Sequence, residues 1–416
     1  MTVEQQRKKN EPMNIKNNKK KKKVSAKISK EKEKEYDGDK YSKSGSDTPS
    51  TNSKRKKLTA TDFIVFWVVL GLIVGGALYP SYQKYGMILY LGFSWYDYDK
   101  TALEWRQYLD EDVKSVLLIG GPHRAGMTIL WDTLNQCHND IIGFGSTLEI
   151  GSEGIAIQDV YPSFGFTLEV FSNQSSSDDD DDDDAMVQYY DTMILDSTIR
   201  NWNASHPLLQ NEQTLAKLMN RFAPYWDYTM KKKKKELSSS KKKDVILMEK
   251  SPPNAILSTF LEGLYNMPIS DNTTSSTVTK FLWMTRHPIA NVLSIAKQST
   301  SNNNNKVSLD IMFQSYIKQH EYMQMDEYVL KSSVLWIRLE DFVQDPMSTL
   351  HTIFKFLDLP PSSDLASLTH IDKTPNAKYQ HTWCHTMDFE ERDHYITTYN
   401  PQIQNLNLGY DLNDYC

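Results

Sequence analysis

The stretch GGPHRAGMT, Gly120 to Thr128, decides how this chain is read. From Gly121 through Gly126 to Thr128 it has the G-x-x-x-x-G-x-[ST] frame of a phosphate-binding loop, with Met127 where the lysine of that motif belongs. The basic side chain inside the loop is Arg124. Gly126 has no Cβ, so the backbone can wrap closely around a phosphate. The amides of Gly126, Met127 and Thr128 would meet its oxygens at the positive end of a helix dipole. Thr128 adds a hydroxyl. Where a nucleoside triphosphatase uses the loop lysine on the outer phosphates and the hydroxyl residue on magnesium, Met127 offers only its N–H. No clear Walker-B carboxylate ends a later strand, which leaves a membrane-anchored kinase or NTPase as the weaker alternative.

Working outward, SVLLIG (Ser115–Gly120), VILME (Val245–Glu249), KFLWMTR (Lys280–Arg286) and VLWIRLE (Val334–Glu340) are apolar runs of strand length separated by helix-like segments. This alternation predicts an α/β fold, a P-loop-like, mainly parallel sheet flanked by helices. Ligands of such sheets bind beyond the carboxyl ends of the strands, where Arg124, Lys250 and Arg286 emerge.

An arginine stays protonated, so Arg124 suits stabilising charge on a leaving phosphate and does not suit acting as its acid. Sulfuryl transfer matches this demand, since it needs one phosphate held, its bridging oxygen stabilised and no obligatory metal. A second anion site is legible in TRHPIANVLS, where Arg286 ends a strand and Ser294 lies about two turns into the next helix. These two can converge on one further phosphate.

With both segments in hand, the chain resembles the sulfotransferases that use 3'-phosphoadenosine 5'-phosphosulfate (PAPS). In that family a K/R-[ST]-G-[ST]-[ST] loop binds the 5'-phosphosulfate, and R-x-P followed by Ser binds the 3'-phosphate. Arg124 to Thr128 and Arg286 to Ser294 stand at those positions. The resemblance runs from about Ser115 to the C-terminus through LMEKSPPN, IRLEDFVQDPMSTLHTIFKFLDLP, NAKYQHTW and LGYDL. It implies that Arg124, Ala125, Gly126, Met127, Thr128, Ile129, Arg286, Ser294 and Lys378 bind PAPS, with no metal required. Ala125 and Met127 replace hydroxyl residues of the family pattern, so phosphate binding must rely on backbone amides and Thr128.

A sulfotransferase also needs a base for the acceptor hydroxyl. GFGSTLEIGSEGIAIQDVYP offers Glu149, Glu153 and Asp159. The resemblance to tyrosylprotein sulfotransferases favours Glu153, with Glu149 in reserve; His320 is a further histidine in a helical segment. Lys250 is expected to neutralise charge on the transferring group, its alternative being an ion pair with Glu249 or Glu340. The resemblance implies a glycan or a tyrosyl protein as acceptor.

The remaining chain speaks of place. Met1 to Thr61 holds 19 Lys and Arg against 8 Asp and Glu and has few large apolar residues, so it is expected to be a disordered basic tail. Residues 62–83, DFIVFWVVLGLIVGGALYPSYQ, are long and apolar enough for one transmembrane helix. The KRKK at Lys54–Lys57 before it leaves the tail cytosolic and sends the rest across, a type II arrangement. Residues 84–112 read as a stem and 113–416 as a lumenal domain, placed by the resemblance in the Golgi membrane. Sequons at Asn173, Asn203 and Asn272 suit a glycoprotein. The cysteines, Cys137, Cys384 and Cys416, permit at most one internal disulfide. SSSDDDDDDDA, KKKKKELSSSKKK and STSNNNN read as solvated loop insertions. No nucleic-acid partner is expected.

Overall fold

The computed structural model describes residues 99–144, 153–163, 188–236, 245–266, 278–299, 307–362 and 371–416. The basic tail, the expected membrane span at 62–83, Glu149, the sequons at Asn173 and Asn272, and the Asp and Asn runs lie outside them. Among the described residues no helix is long and apolar enough to cross a membrane.

Five strands form one sheet: β1 (Val113–Gly120), β2 (Ile141–Gly143), β3 (Val245–Lys250), β4 (Val278–Thr285) and β5 (Ser333–Arg338). Their order is β2-β3-β1-β4-β5, and every pairing is parallel. Parallel neighbours need crossover connections, and those supply the helices that bury both faces. The strands alternate accordingly. Val116, Leu118, Leu247, Phe281 and Trp283 enter one apolar core, whereas Leu117, Ile119, Ile246, Met248, Leu282 and Met284 enter the other.

The first core is closed by α1 (Ala102–Asp112), α4 (Gln213–Glu236), α5 (Ser258–Tyr265), α6 (Pro288–Ser299) and α7 (Leu309–Val329). The second is closed by α2 (Met127–Cys137), α8 (Leu339–Gln344) and α9 (Pro346–Phe356). Between α2 and α4 lies the single turn α3 (Gly154–Ile157), and α10 (Ala377–His381) and α11 (Phe389–Asn405) follow α9. A disulfide joins Cys384 to Cys416, with Cys137 buried outside it.

Several expectations need revision. Part of the expected stem forms α1, started by a capping box between Thr101 and Glu104 and anchored by buried Trp105, Arg106 and Leu109. Lys231 to Glu236, expected in a loop, are the last turns of α4. There Lys231 pairs with Asp227 one turn back at 2.7 Å, and Lys233 Nζ donates to the carbonyls of His138 and Ile141 at 3.0 and 2.5 Å. The short strand β2 is not legible as an apolar run, because three residues carry no periodicity. The run expected to extend to Glu340 stops at Arg338, where α8 begins.

Candidate anion-binding and transfer site

The loop after β1 turns at the carboxyl edge of the sheet. Gly126 caps α2 with φ 92°, a left-handed conformation that favours glycine. A Cβ there would also stand 2.5 Å from Leu339 Cδ1. Arg124 adopts φ 67°, which is uncommon for a residue with a side chain and is held by the loop around it. The first amides of α2 have no acceptor within their own helix and point out of its N-terminus.

The side chains divide by exposure. Arg124, Thr128 and Ile129 are exposed, whereas Ala125 and Met127 are buried in the second core among Leu130, Leu134 and Leu339. Met127 is therefore a packing residue, and a lysine in its place would have to bury its ammonium among aliphatic side chains. Gly126 and Thr128 remain available to an anion.

Three strand ends feed the same edge. Lys250 closes β3 and is nearly fully buried. Its Nζ donates to Thr128 Oγ1 at 3.2 Å and to Glu153 Oε1 at 2.5 Å. The expected partners Glu249 and Glu340 are thus not the ones Lys250 takes. Glu249 precedes it on the alternating strand, and Glu340 is engaged elsewhere. Glu153 itself is the N-cap of α3, so this turn delivers its carboxylate to the loop.

Glu249 is fully buried. Its Oε1 accepts from Gly154 N at 2.7 Å and from Ser251 Oγ at 2.5 Å, and its Oε2 accepts from Asn254 Nδ2. Burial pushes its carboxyl up to about 7, against the pull of these three hydrogen bonds.

Past β4, Arg286 and Ser294 are both buried. Arg286 Nε donates to Asn376 Oδ1 at 2.8 Å, Nη1 to the Arg124 carbonyl at 2.9 Å and Nη2 to the Pro375 carbonyl at 3.0 Å. Its guanidinium lies 5.0 Å from the centre of the Tyr379 ring. Ser294 Oγ accepts from Arg124 Nε at 3.2 Å and from Tyr379 OH at 2.9 Å. Burial pushes the Tyr379 phenol up, but hydrogen bonds with Ser294 and Lys378 and the charges of Lys378 and Arg286 bring it below its ordinary value.

Glu340 supports this wall from behind, accepting from His287 N at 2.9 Å, Asn376 Nδ2 at 2.6 Å and Tyr410 OH at 2.9 Å. It thereby orients Asn376 against Arg286.

The structure therefore brings Arg124, Gly126, Thr128, Glu153, Lys250, Arg286 and Ser294 to one edge. Lys378 is exposed, its ammonium 4.7 Å from the centre of the Tyr379 ring. Tyr379, one residue on in the same quoted segment, and Asn376 are the residues sequence reasoning missed. Their signal was an aromatic and an amide inside NAKYQHTW, ambiguous without knowing which side of α10 faces Arg286. His320 is a core histidine, bonded to Thr285 Oγ1 at 3.0 Å and to the Tyr316 carbonyl at 2.7 Å. Among the described residues no group of three or more His, Cys, Asp or Glu side chains could hold a metal ion.

No curated protein matches the chain. Among solved structures it is similar to the sulfotransferase domain of the Synechococcus PCC 7002 olefin synthase, at 13% identity over 73% of this chain and 96% of that one, TM-score 0.39. It is also similar to sulfotransferase STF9 from Mycobacterium avium, at 12% identity over 74% and 80% of the two chains, TM-score 0.38. These two likenesses are low. Residues 277–364, which span Arg286, Ser294 and Glu340, match the family model described as Sulfotransferase family.

Proposed function

We propose that this chain transfers a sulfuryl group from PAPS to a hydroxyl of a glycan or of a protein tyrosine. One observation carries the reading: Arg124 of the first loop reaches Ser294 of α6, while Arg286 holds the Arg124 carbonyl, so the two segments read as anion sites in the sequence meet in one wall. A donor with a 5'-phosphosulfate and a 3'-phosphate needs two such sites side by side.

The residues suit that donor. The amides of Gly126, Met127 and Thr128 with the Thr128 hydroxyl would hold the 5'-phosphate, and Ser294 and Arg286, with Tyr379 beside them, would hold the 3'-phosphate. Sulfuryl transfer forms a bond between the acceptor oxygen and sulfur and breaks the bond from sulfur to the 5'-phosphate oxygen, which keeps the electron pair. Glu153 would take the acceptor proton. Lys250, between Glu153 and Thr128, would neutralise charge on the equatorial sulfuryl oxygens, and Arg124 would stabilise the charge arriving on the phosphate.

The topology expected from the sequence belongs to the same proposal: a type II Golgi membrane protein with a lumenal catalytic domain. Asn203 is half-buried and its amide donates to the Arg200 carbonyl at 2.7 Å, a bond that a glycan there would have to accommodate. The test compares ligands by thermal melting. Stabilisation by adenosine 3',5'-bisphosphate without magnesium supports the reading, whereas stabilisation only by Mg-ATP supports a kinase or NTPase.

A further inference from the structure

Glu153, the proposed base, stands at the head of a helix of four residues, Gly154–Ile157. One turn has no stability of its own, since nucleation costs more than a single hydrogen bond returns. The Glu153 side chain makes no cap bond to that turn; it points to Lys250. Something outside the turn must hold its backbone.

The end of β3 does so. Glu249 Oε1 accepts the Gly154 N–H at 2.7 Å, and Ser251 Oγ accepts the Ile155 N–H at 3.0 Å while donating to the same Glu249 oxygen. Asn254 Nδ2 donates to the other Glu249 oxygen and to the Ile119 carbonyl, tying the carboxylate to β1. The fit is close. A Cβ on Gly154 would lie 2.6 Å from Glu249 Oε1 and 2.7 Å from Phe222 Cζ. Consecutive residues of one strand therefore address Glu153 from two sides, Lys250 through its carboxylate and Glu249 through the peptide that follows it.

We propose that Glu249, with Ser251, is the positioning residue for Glu153, fixing the backbone of α3 so that the Glu153 carboxylate faces Lys250 and Thr128. This rests on the reading of Glu153 as the base. Glu249 touches neither donor nor acceptor, and its contribution passes through the Gly154 and Ile155 amides.

The test uses the full chain and measures labelled sulfate passed from PAPS to a tyrosine peptide or to a desulfated glycosaminoglycan, whichever the unaltered chain sulfates. Glu249→Met removes the acceptor of the Gly154 N–H and should lower kcat about tenfold or more. The Kd for adenosine 3',5'-bisphosphate should stay within about threefold. Glu249→Gln keeps an oxygen for the Gly154 N–H, with Asn254 turning its amide at the expense of its bond to the Ile119 carbonyl, and should recover a clear part of the rate lost in Glu249→Met, which a carboxylate acting as a base could not do. In a Glu153→Gln background Glu249→Met should cause no further loss, because both act through one group. If Glu249→Met does not fold, Ser251→Ala gives the same pattern with a smaller loss. Equal losses in Gln and Met, or losses that simply multiply with Glu153→Gln, overturn the positioning role. A Glu153→Gln chain with full kcat, or an unaltered chain that sulfates neither probe, overturns the underlying reading and this proposal with it.

Discussion

Arg124 Nε and Ser294 Oγ lie 3.2 Å apart although 170 residues separate them in the chain. The contact makes the loop after β1 and the helix after β4 one wall. Arg286 stabilises that wall with three charge-assisted hydrogen bonds, to the carbonyls of Arg124 and Pro375 and to Asn376. Arg286→Ala should therefore weaken adenosine 3',5'-bisphosphate by about 10- to 100-fold, the scale of one lost charged partner. Tyr379→Phe, which removes only one hydroxyl from Ser294, should weaken it less. Isothermal calorimetry measures both, and an unchanged affinity in Arg286→Ala would remove that residue from the site.

Lys250 and Glu153 form an ion pair whose lysine side chain is 2% exposed and whose carboxylate is 19% exposed. Removing one partner of a buried pair strands the other. Lys250→Met should cost about 1–3 kcal/mol, below the value for a fully buried pair because water reaches Glu153. Denaturant unfolding gives the figure. No change in midpoint would mean that the pair carries no net stability.

Stability should fall with acidification. Burial holds His320 and His287 down to about 4 and His123 to about 3, whereas in the unfolded chain each titrates near its ordinary value of 6.5. Between about 4 and 6.5 the unfolded state binds the extra protons, so the histidine contribution is complete above 6.5 and is lost as pH falls through that window. Glu249 acts in the opposite sense. Its pKa is raised from 4.5 to about 7, so it favours the native state below 4.5 and loses that contribution as pH rises to 7. Three histidines outweigh one carboxyl. Melting temperature should drop from pH 7 to pH 5, and a flat or rising profile would contradict the lowering of these three histidines.

Cys384 and Cys416 close a loop spanning 32 residues around α11. Cys384→Ser should cost about 2–4 kcal/mol on the chain-entropy scale. Unfolding with and without reductant should show the same loss in the unaltered chain and none in the variant.

Much of this was legible in the sequence. The strands β1, β3, β4 and β5 were readable because sheets covered on both faces demand continuous apolar runs, and the glycine-bounded loop at 121–128 placed Arg124 at their carboxyl edge. Arg286 and Ser294 followed from spacing. What could not be read was three-dimensional convergence. Nothing in the sequence places Tyr379 and Asn376 against Arg286, because helix α10 is only five residues long and has no periodic face. Lys250 was legible as a strand-end cation, but its partner was not. A turn fixed by Glu249 and Ser251 brings Glu153 to it across 97 residues. Met127 looked like a defect in a phosphate motif and is a core residue instead.

The most direct test of sulfuryl transfer is a single-turnover measurement of labelled sulfate leaving PAPS for a tyrosine peptide or a desulfated glycosaminoglycan, without magnesium, in the unaltered chain and in Arg124→Ala. Transfer by the unaltered chain, slowed about 100-fold or more in Arg124→Ala with adenosine 3',5'-bisphosphate affinity much less affected, is the expected result, since the arginine would act most strongly on the departing phosphate. Hydrolysis of Mg-ATP without any sulfate transfer, at a rate that Arg124→Ala leaves unchanged, would contradict it.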